Sequence, residues 1–154
     1  MAKQYWLMKS EEEVYSIRDL EREGTTCWEG VRNYEARNIM RDMMRIGDEV
    51  LFYHSNAKPP GVAGLARVSK KAYPDPFAFD EKSRYFDPKS DPTNPRWFMV
   101  DLEFLERFTD VVSLNELKAN PKLGGMALLN RARLSVQPVT KEEFQVIRGL
   151  GRGG

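Results

Sequence analysis

The sequence contains one histidine, His54, and one cysteine, Cys27, the two residue types that most often serve as nucleophile, base or zinc ligand. A zinc site needs three or four His, Cys or carboxylate ligands at recognisable spacings, and the sequence holds neither C-x-x-C nor H-E-x-x-H. G-x-S-x-G and Walker glycine patterns are also missing, and His54 and Ser55 point to opposite faces of one predicted strand. The sequence therefore predicts a binding module without metal, cofactor or catalysis. An enzyme acting on a nucleotide or small metabolite through His54 stays open as an alternative.

Two tryptophans stand where a flat ligand would be held. Trp28 lies in the connection between two predicted helices, and Trp97 ends a segment rich in Pro and Asp, on the strand face opposite Phe98. An indole in such a connection either fills the edge of the core or offers a stacking face, and stacking on a base contributes about 1–3 kcal/mol. Two rings bracketing a pocket would hold a methylated base by stacking and apolar contact.

Polar residues at the ends of predicted elements are candidates for reading the edge of a base, namely Ser10, Asn33, Tyr34, His54 and Ser55. Each has a structural alternative, since serine and asparagine also cap helices and a lone histidine is commonly a hydrogen-bonded structural residue. Candidates for phosphate contacts are Lys9, Arg32, Arg37 and Arg41. The arginines also fit a solvated helix surface, so both interpretations stay open.

Length and charge set the broad class of the protein. A chain of 154 residues predicts one domain, placed at 1–148, with a flexible C-terminal tail at 149–154. The net charge is only +1, but basic segments (31–72 and 111–154) alternate with acidic ones. A single cysteine forms no intrachain disulfide, and the N-terminus resembles neither a signal peptide nor a membrane span. We expect a cytoplasmic monomer that does not bind membranes.

The predicted elements mix strands and helices without a regular β-α-β rhythm. Helix starts are predicted by capping boxes at Ser10, Ser113 and Thr140, and a second helix is predicted over 33–45. Strands are predicted over 4–8, 49–54, 61–71, 97–108 and 134–139, the last at an edge because it contains Pro138. The long segment 74–95 is predicted to be an ordered binding loop or lid. This pattern predicts an α+β fold with helices packed outside a small curved sheet or barrel.

Several segments together resemble the EVE domain, in particular the thymocyte nuclear protein family. The resemblance covers nearly the whole chain and is most specific at Trp28–Asn38 (WEGVRNYEARN) and Arg133–Val139 (RLSVQPV). Tyr5–Glu11 (YWLMKSE) also fits, although Glu12 follows where the family pattern has proline. The resemblance implies a PUA-like fold, a small curved β-barrel with helices packed around it, similar to YTH domains.

The resemblance also implies a function, a non-catalytic reader that binds a modified base of nucleic acid in an aromatic pocket. On that analogy Trp28 forms one wall, with Ser10, Asn33 and Ser55 near the base; for the second wall we favour Trp97, then Tyr73. The expected partner is DNA or RNA whose modified base, with methylated cytosine the leading example, is flipped out or single-stranded. An RNA-binding accessory domain in translation or RNA modification is the alternative.

Overall fold

The computed structural model describes residues 3–131 and 133–153, which form a six-stranded mixed sheet with helices on both faces. The strands are β1 (Tyr5–Glu11), β2 (Thr25–Cys27), β3 (Glu49–Ser55), β4 (Gly61–Pro74), β5 (Phe98–Ser113) and β6 (Val136–Val139). Their order is β2-β5-β4-β3-β1-β6, with β1 and β3 parallel and the other neighbours antiparallel. Several register shifts interrupt the long β4–β5 ladder, and such bulges bend a sheet. The α+β prediction is confirmed.

Among the described residues, five α-helices connect and cover the strands. They are α1 (Ile17–Glu23), α2 (Tyr34–Asn38), α3 (Leu114–Ala119), α4 (Ala127–Asn130) and α5 (Lys141–Gly151). The capping boxes predicted at Ser113 and Thr140 are confirmed, because each side chain accepts the backbone N–H of a glutamate three residues later. No helix in the described part of the chain is long and apolar enough to cross a membrane.

The sheet separates two hydrophobic cores, because successive side chains of a strand point to opposite faces. Along β1, Trp6 and Met8 enter one core and Leu7 enters the other. The first core lies under α1 and α2 and includes Trp28, while the second lies under α3, α4 and α5. The sheet is therefore buried on both faces, and the segment around Trp28 is fixed from beneath.

The helix start predicted at Ser10 is wrong. Ser10 belongs to β1, which continues to Glu11 because its ladder with β3 extends to the pair Glu11–Ser55. The chain then turns, and α1 begins after Ser16, whose side chain accepts the backbone N–H of Asp19 in a complete capping box. A second Ser-x-x-acid pattern thus caps the helix, because the strand ladder claims the first one.

The helix predicted over 33–45 is shorter and less regular than expected. Asn33 caps α2 by accepting the N–H of Ala36 at 2.9 Å, which is its structural alternative. After Asn38 the chain widens into a π-turn (39–43), and Met44 is already extended. A π-turn adds a residue to the turn, so the spacing of four between the arginines no longer gives one continuous stripe.

In the C-terminal part of the chain, the last strand lies where it was predicted, whereas the last helix runs past residue 148, after which the flexible tail was predicted. The strand with Pro138, β6, lies at an edge of the sheet as predicted. Helix α5 extends to Gly151, three residues into the predicted tail, and Gly151 is buried against the ring of Phe108. Gly154 lies outside the described residues.

Candidate functional site

A cavity of about 460 Å³ opens where the end of β1, the segment after β2 and the loop between β4 and β5 meet. We call it the main cavity. Its lining consists of residues 9–11, 14–15, 26–32 and 84–85, with Glu23 and Ser135. Ligand sites for small molecules typically enclose about 300–1,000 Å³, so the main cavity is large enough for one flat heterocycle with its sugar.

Trp28 forms a rigid wall of the main cavity. Only 8% of the residue is exposed, and its ring packs edge-on against Phe52 with 5.4 Å between centroids. Its backbone N–H donates to the carbonyl of Val100 at 2.8 Å, which ties the segment to β5. Trp28 is therefore both a core residue and a lining residue, and the two interpretations of this indole are compatible.

Tyr15 brings a second aromatic ring to the main cavity from the turn after β1. Its hydroxyl donates to Glu23 Oε1 at 2.6 Å, and Ser10 Oγ donates to the Tyr15 carbonyl at 2.7 Å. Burial, followed by the bond to Glu23, raises the pKa of the Tyr15 hydroxyl. The ring is thus held neutral and in place, and Ser10 both lines the cavity and supports it. Sequence reasoning missed Tyr15 because the turn was predicted to be helix.

Tyr85 contributes a third ring from the loop between β4 and β5 (75–97). Its ring lies so close to Gly30 that a Cβ placed there would come within 2.5 Å of it. Arg32 fixes the backbone at this point, because its Nε and Nη2 donate to the Tyr85 carbonyl at 3.1 and 2.7 Å. The expectation of a binding loop had pointed to this segment, but not to Tyr85 among its aromatic residues.

A buried carboxylate, Asp75, joins the two segments that carry these rings. Asp75 is fully buried; its Oδ2 accepts the backbone N–H of Gly30 at 2.9 Å and Arg32 Nη1 at 3.1 Å. Its Oδ1 accepts the N–H of Phe77 at 2.9 Å. The wall that holds Trp28 and the wall that holds Tyr85 therefore depend on one carboxylate.

The polar lining of the main cavity includes three carboxylates, Glu11, Glu23 and Glu29, and three cations, Lys9, Arg32 and Arg84. Cys27 Sγ donates to Glu29 Oε2 at 3.3 Å, and burial followed by Glu29 raises the pKa of this thiol to about 11. Burial lowers the pKa of Lys9. The cavity thus offers hydrogen-bond acceptors and aromatic faces together, while its thiol stays protonated near neutral pH.

Of the residues predicted to form the site, the main cavity brings together Lys9, Ser10, Trp28 and Arg32. The structure places the other predicted residues outside its lining, namely Asn33, Tyr34, Arg37, Arg41, His54, Ser55, Tyr73 and Trp97. Asn33 lines a smaller neighbouring cavity instead. Ser55 ends β3 opposite Glu11.

Trp97 lies one layer behind the main cavity. Its Nε1 donates to Asp87 Oδ2 at 2.6 Å, and the ring of Tyr34 stacks on it with centroids 4.8 Å apart. The guanidinium of Arg32 sits 5.4 Å from the Trp97 centroid and 5.6 Å from that of Tyr85. Trp97 therefore supports a lining residue, and Tyr85 occupies the position nearer the cavity.

His54 and Tyr73 are engaged in contacts that hold the fold. His54 is buried, and its Nε2 accepts the first backbone N–H of α1, from Ile17, at 3.1 Å. Burial lowers the pKa of His54, which favours the neutral ring that this bond requires. The Tyr73 hydroxyl donates to Asp101 at 2.5 Å. His54 thus anchors a helix through its Nε2.

Two of the arginines predicted to contact phosphate, Arg37 and Arg41, contact other residues of the protein. Arg37 donates to the carbonyl of Arg96 at 2.9 Å and packs over Tyr34, while Arg41 pairs with Asp42 at 2.8 Å.

Within residues 3–131 and 133–153, no three His, Cys, Asp or Glu side chains come together as metal ligands.

The EVE domain family model matches residues 4–150. The chain belongs to the EVE domain family. It is 45% identical to thymocyte nuclear protein 1 of Homo sapiens over 165 aligned residues, which cover 95% of this chain and 73% of that protein. The resemblance inferred from the segments around Trp28 and Ser135 is thereby confirmed.

Solved structures support the family assignment and the fold. The crystal structure of human THYN1 protein in complex with 5-methylcytosine containing DNA is 43% identical, with a TM-score of 0.90, covering 97% of this chain and 98% of that one. A YTH domain of Zygosaccharomyces rouxii MRB1 protein, solved with N6-methyladenosine RNA, matches at 11% identity and a TM-score of 0.54, covering 97% and 87%. The second likeness confirms the predicted YTH-like fold and nothing beyond it.

Proposed function

We propose that this EVE domain is a non-catalytic reader that holds one modified base of DNA, a 5-methylcytosine or a related cytosine, in the main cavity. The observation that carries the proposal is the cavity itself, walled by Trp28, Tyr15 and Tyr85. The human THYN1 structure with 5-methylcytosine containing DNA supports the choice of ligand, since that chain shares 43% identity with this one.

The shape and polarity of the main cavity suit an extruded cytosine. A base inside a duplex hides its pairing edge, so it reaches a pocket only after flipping or from a single strand. Stacking on Trp28 would contribute about 1–3 kcal/mol regardless of the base. The amino group of cytosine is a donor, and the carboxylates of Glu23 and Glu29 are acceptors in the lining. A keto base would place an acceptor against them instead.

The direct test is binding of short single-stranded oligonucleotides that carry one 5-methylcytosine or one cytosine, followed by calorimetry. We expect tighter binding of the methylated strand, and a loss of about 5- to 150-fold in Trp28→Ala, because stacking on one ring contributes about 1–3 kcal/mol. Circular dichroism checks that the variant is folded, and Tyr85→Ala repeats the test with a ring outside the hydrophobic core. Tyr34→Ala is the matched control, since Tyr34 is exposed and lies outside the cavity.

Two outcomes would count against the proposal. Equal affinity for methylated and unmethylated strands, in DNA and in RNA of the same sequence, would exclude a reader of this modification. Preference for RNA would favour the alternative, an RNA-binding accessory domain, because the 2′-hydroxyl distinguishes the two polymers.

A further inference from the structure

A second, smaller cavity of about 260 Å³ is lined from chain positions next to those that line the main cavity. Its lining consists of Asn33, Arg131, Arg133 and Leu134. Two chain segments run from one cavity into the other: Arg32 lines the main cavity and Asn33 the second, and Ser135 lines the main cavity and Leu134 the second. Consecutive Cα atoms are about 3.8 Å apart, so on both segments the residues that line the two cavities are immediate neighbours in the chain.

The charge of the second cavity differs from that of the main cavity. Its lining holds two guanidinium groups and no carboxylate, whereas the main cavity balances its cations with three glutamates. Arg131 is paired with Glu35 at 2.6 Å, but Arg133 is exposed and pairs with no carboxylate among residues 3–131 and 133–153. Asn33 uses its Oδ1 to accept the N–H of Ala36, so its amide N–H groups remain available as donors.

We propose that the second cavity binds the backbone phosphate that flanks the base held in the main cavity. The proposal rests on the function proposed above and names the group that positions the nucleic acid there. A guanidinium offers several N–H donors in a fixed fork that matches phosphate oxygens, and an unpaired one needs no existing ion pair to be broken. Phosphate contacts fix the register of a strand while base contacts specify its identity, which requires the two subsites to be adjacent.

Arg133→Ala in the full chain tests the second cavity, with the same methylated and unmethylated oligonucleotides titrated between 50 and 200 mM salt. We expect roughly a tenfold loss of affinity at low salt for both strands, as for one charge-assisted contact. The slope of log affinity against log salt should fall by about 0.7, the value for one phosphate of a single strand. The ratio between the two strands should not change. Arg148→Ala is the matched control: it removes one positive charge from α5, against Phe144 in the core on the other face of the sheet.

The free nucleoside 5-methyl-2′-deoxycytidine and its monophosphates separate the two proposals. Nuclear magnetic resonance titration should show that Arg133→Ala binds the nucleoside like the wild type but loses the advantage of the monophosphate. An unchanged salt slope, or weaker binding of the phosphate-free nucleoside, would overturn the phosphate subsite. If the wild type showed no dependence on methylation while Arg133→Ala still lowered the salt slope, the reader function would fail and the phosphate subsite would stand.

Discussion

Replacing Asp75 with alanine tests how the loop 75–97 is held against the main cavity. The carboxylate is fully buried and accepts hydrogen bonds from Gly30, Phe77 and Arg32. Removing it leaves the backbone N–H groups of Gly30 and Phe77 without their acceptor and takes the counter-ion from Arg32, whose guanidinium keeps its bonds to the Val31 and Tyr85 carbonyls. Breaking a buried ion pair from one side costs about 3–5 kcal/mol, and since 23% of the Arg32 side chain is exposed, we expect the lower end, about 3 kcal/mol.

The assay for Asp75→Ala is thermal and urea unfolding, followed by oligonucleotide binding. In a chain of 154 residues, 1 kcal/mol shifts Tm by about 2–4 °C, so the expected fall in Tm is roughly 6–12 °C. Hydrogen exchange should increase within the loop that carries Tyr85 before it increases in the sheet. Asp75→Asn, which keeps a neutral acceptor, should lose less stability than Asp75→Ala.

A matched control comes from the same loop. Asp80 accepts one N–H from Lys82 and is exposed, so Asp80→Ala should leave Tm and binding nearly unchanged. If Asp75→Ala melted within about 2 °C of the wild type, the loop would be held by other contacts. Full oligonucleotide affinity in a destabilised Asp75→Ala protein would refute the link between this carboxylate and the cavity wall.

Three further predictions concern a glycine, the thiol and the histidine. Gly30→Ala should lower the free energy of unfolding in urea by about 1–3 kcal/mol and weaken base binding, because Gly30 has φ +85° and lies against Tyr85. Gly24→Ala is the control: Gly24 has φ +84° but open space around it, so this variant should lose stability without losing base binding. The raised pKa of Cys27, about 11 against an ordinary 9.0, should slow thiol alkylation at pH 7 about a hundredfold relative to a free thiol. The lowered pKa of His54 means that the unfolded chain binds more protons, so unfolding free energy should fall as pH drops below 6.5, and less so in His54→Gln.

Site residues that a local sequence pattern marks could be predicted, whereas those whose position depends on long-range contacts could not. Trp28 was found because its segment carries a specific motif. Ser10 and Ser16 both begin a Ser-x-x-acid pattern, and only the β1–β3 ladder, formed with a strand about forty residues away, decides which of them caps the helix. Local pattern gives the existence of α1 but not its first residue.

Tyr85 could not be chosen in advance for a related reason. The loop 75–97 contains several aromatic residues, and long-range contacts decide which of them reaches the cavity. Arg32 bonds to the Tyr85 carbonyl, and Asp75 bonds to the backbone N–H of Gly30; each bond joins residues more than forty positions apart. Trp97 was predicted to open the strand, but it lies just before β5, which begins at Phe98, and Tyr34 and Asp87 contact its ring. The cytoplasmic location, the monomeric state and the individual base contacts stay predictions.

Affinity and discrimination should come from different parts of this surface. One buried methyl group contributes about 0.8 kcal/mol, roughly a fourfold preference for the methylated base. Stacking and phosphate contacts act equally on both strands, so they raise affinity without raising that ratio. Added salt should therefore weaken the binding of the methylated and the unmethylated strand equally and leave the ratio of their affinities constant. A preference well above fourfold would require the lining to penalise the unmethylated base. Tyr85, whose ring lies against Gly30 and whose carbonyl accepts from Arg32, is held by both contacts and should therefore resist closing onto the space that a missing methyl leaves.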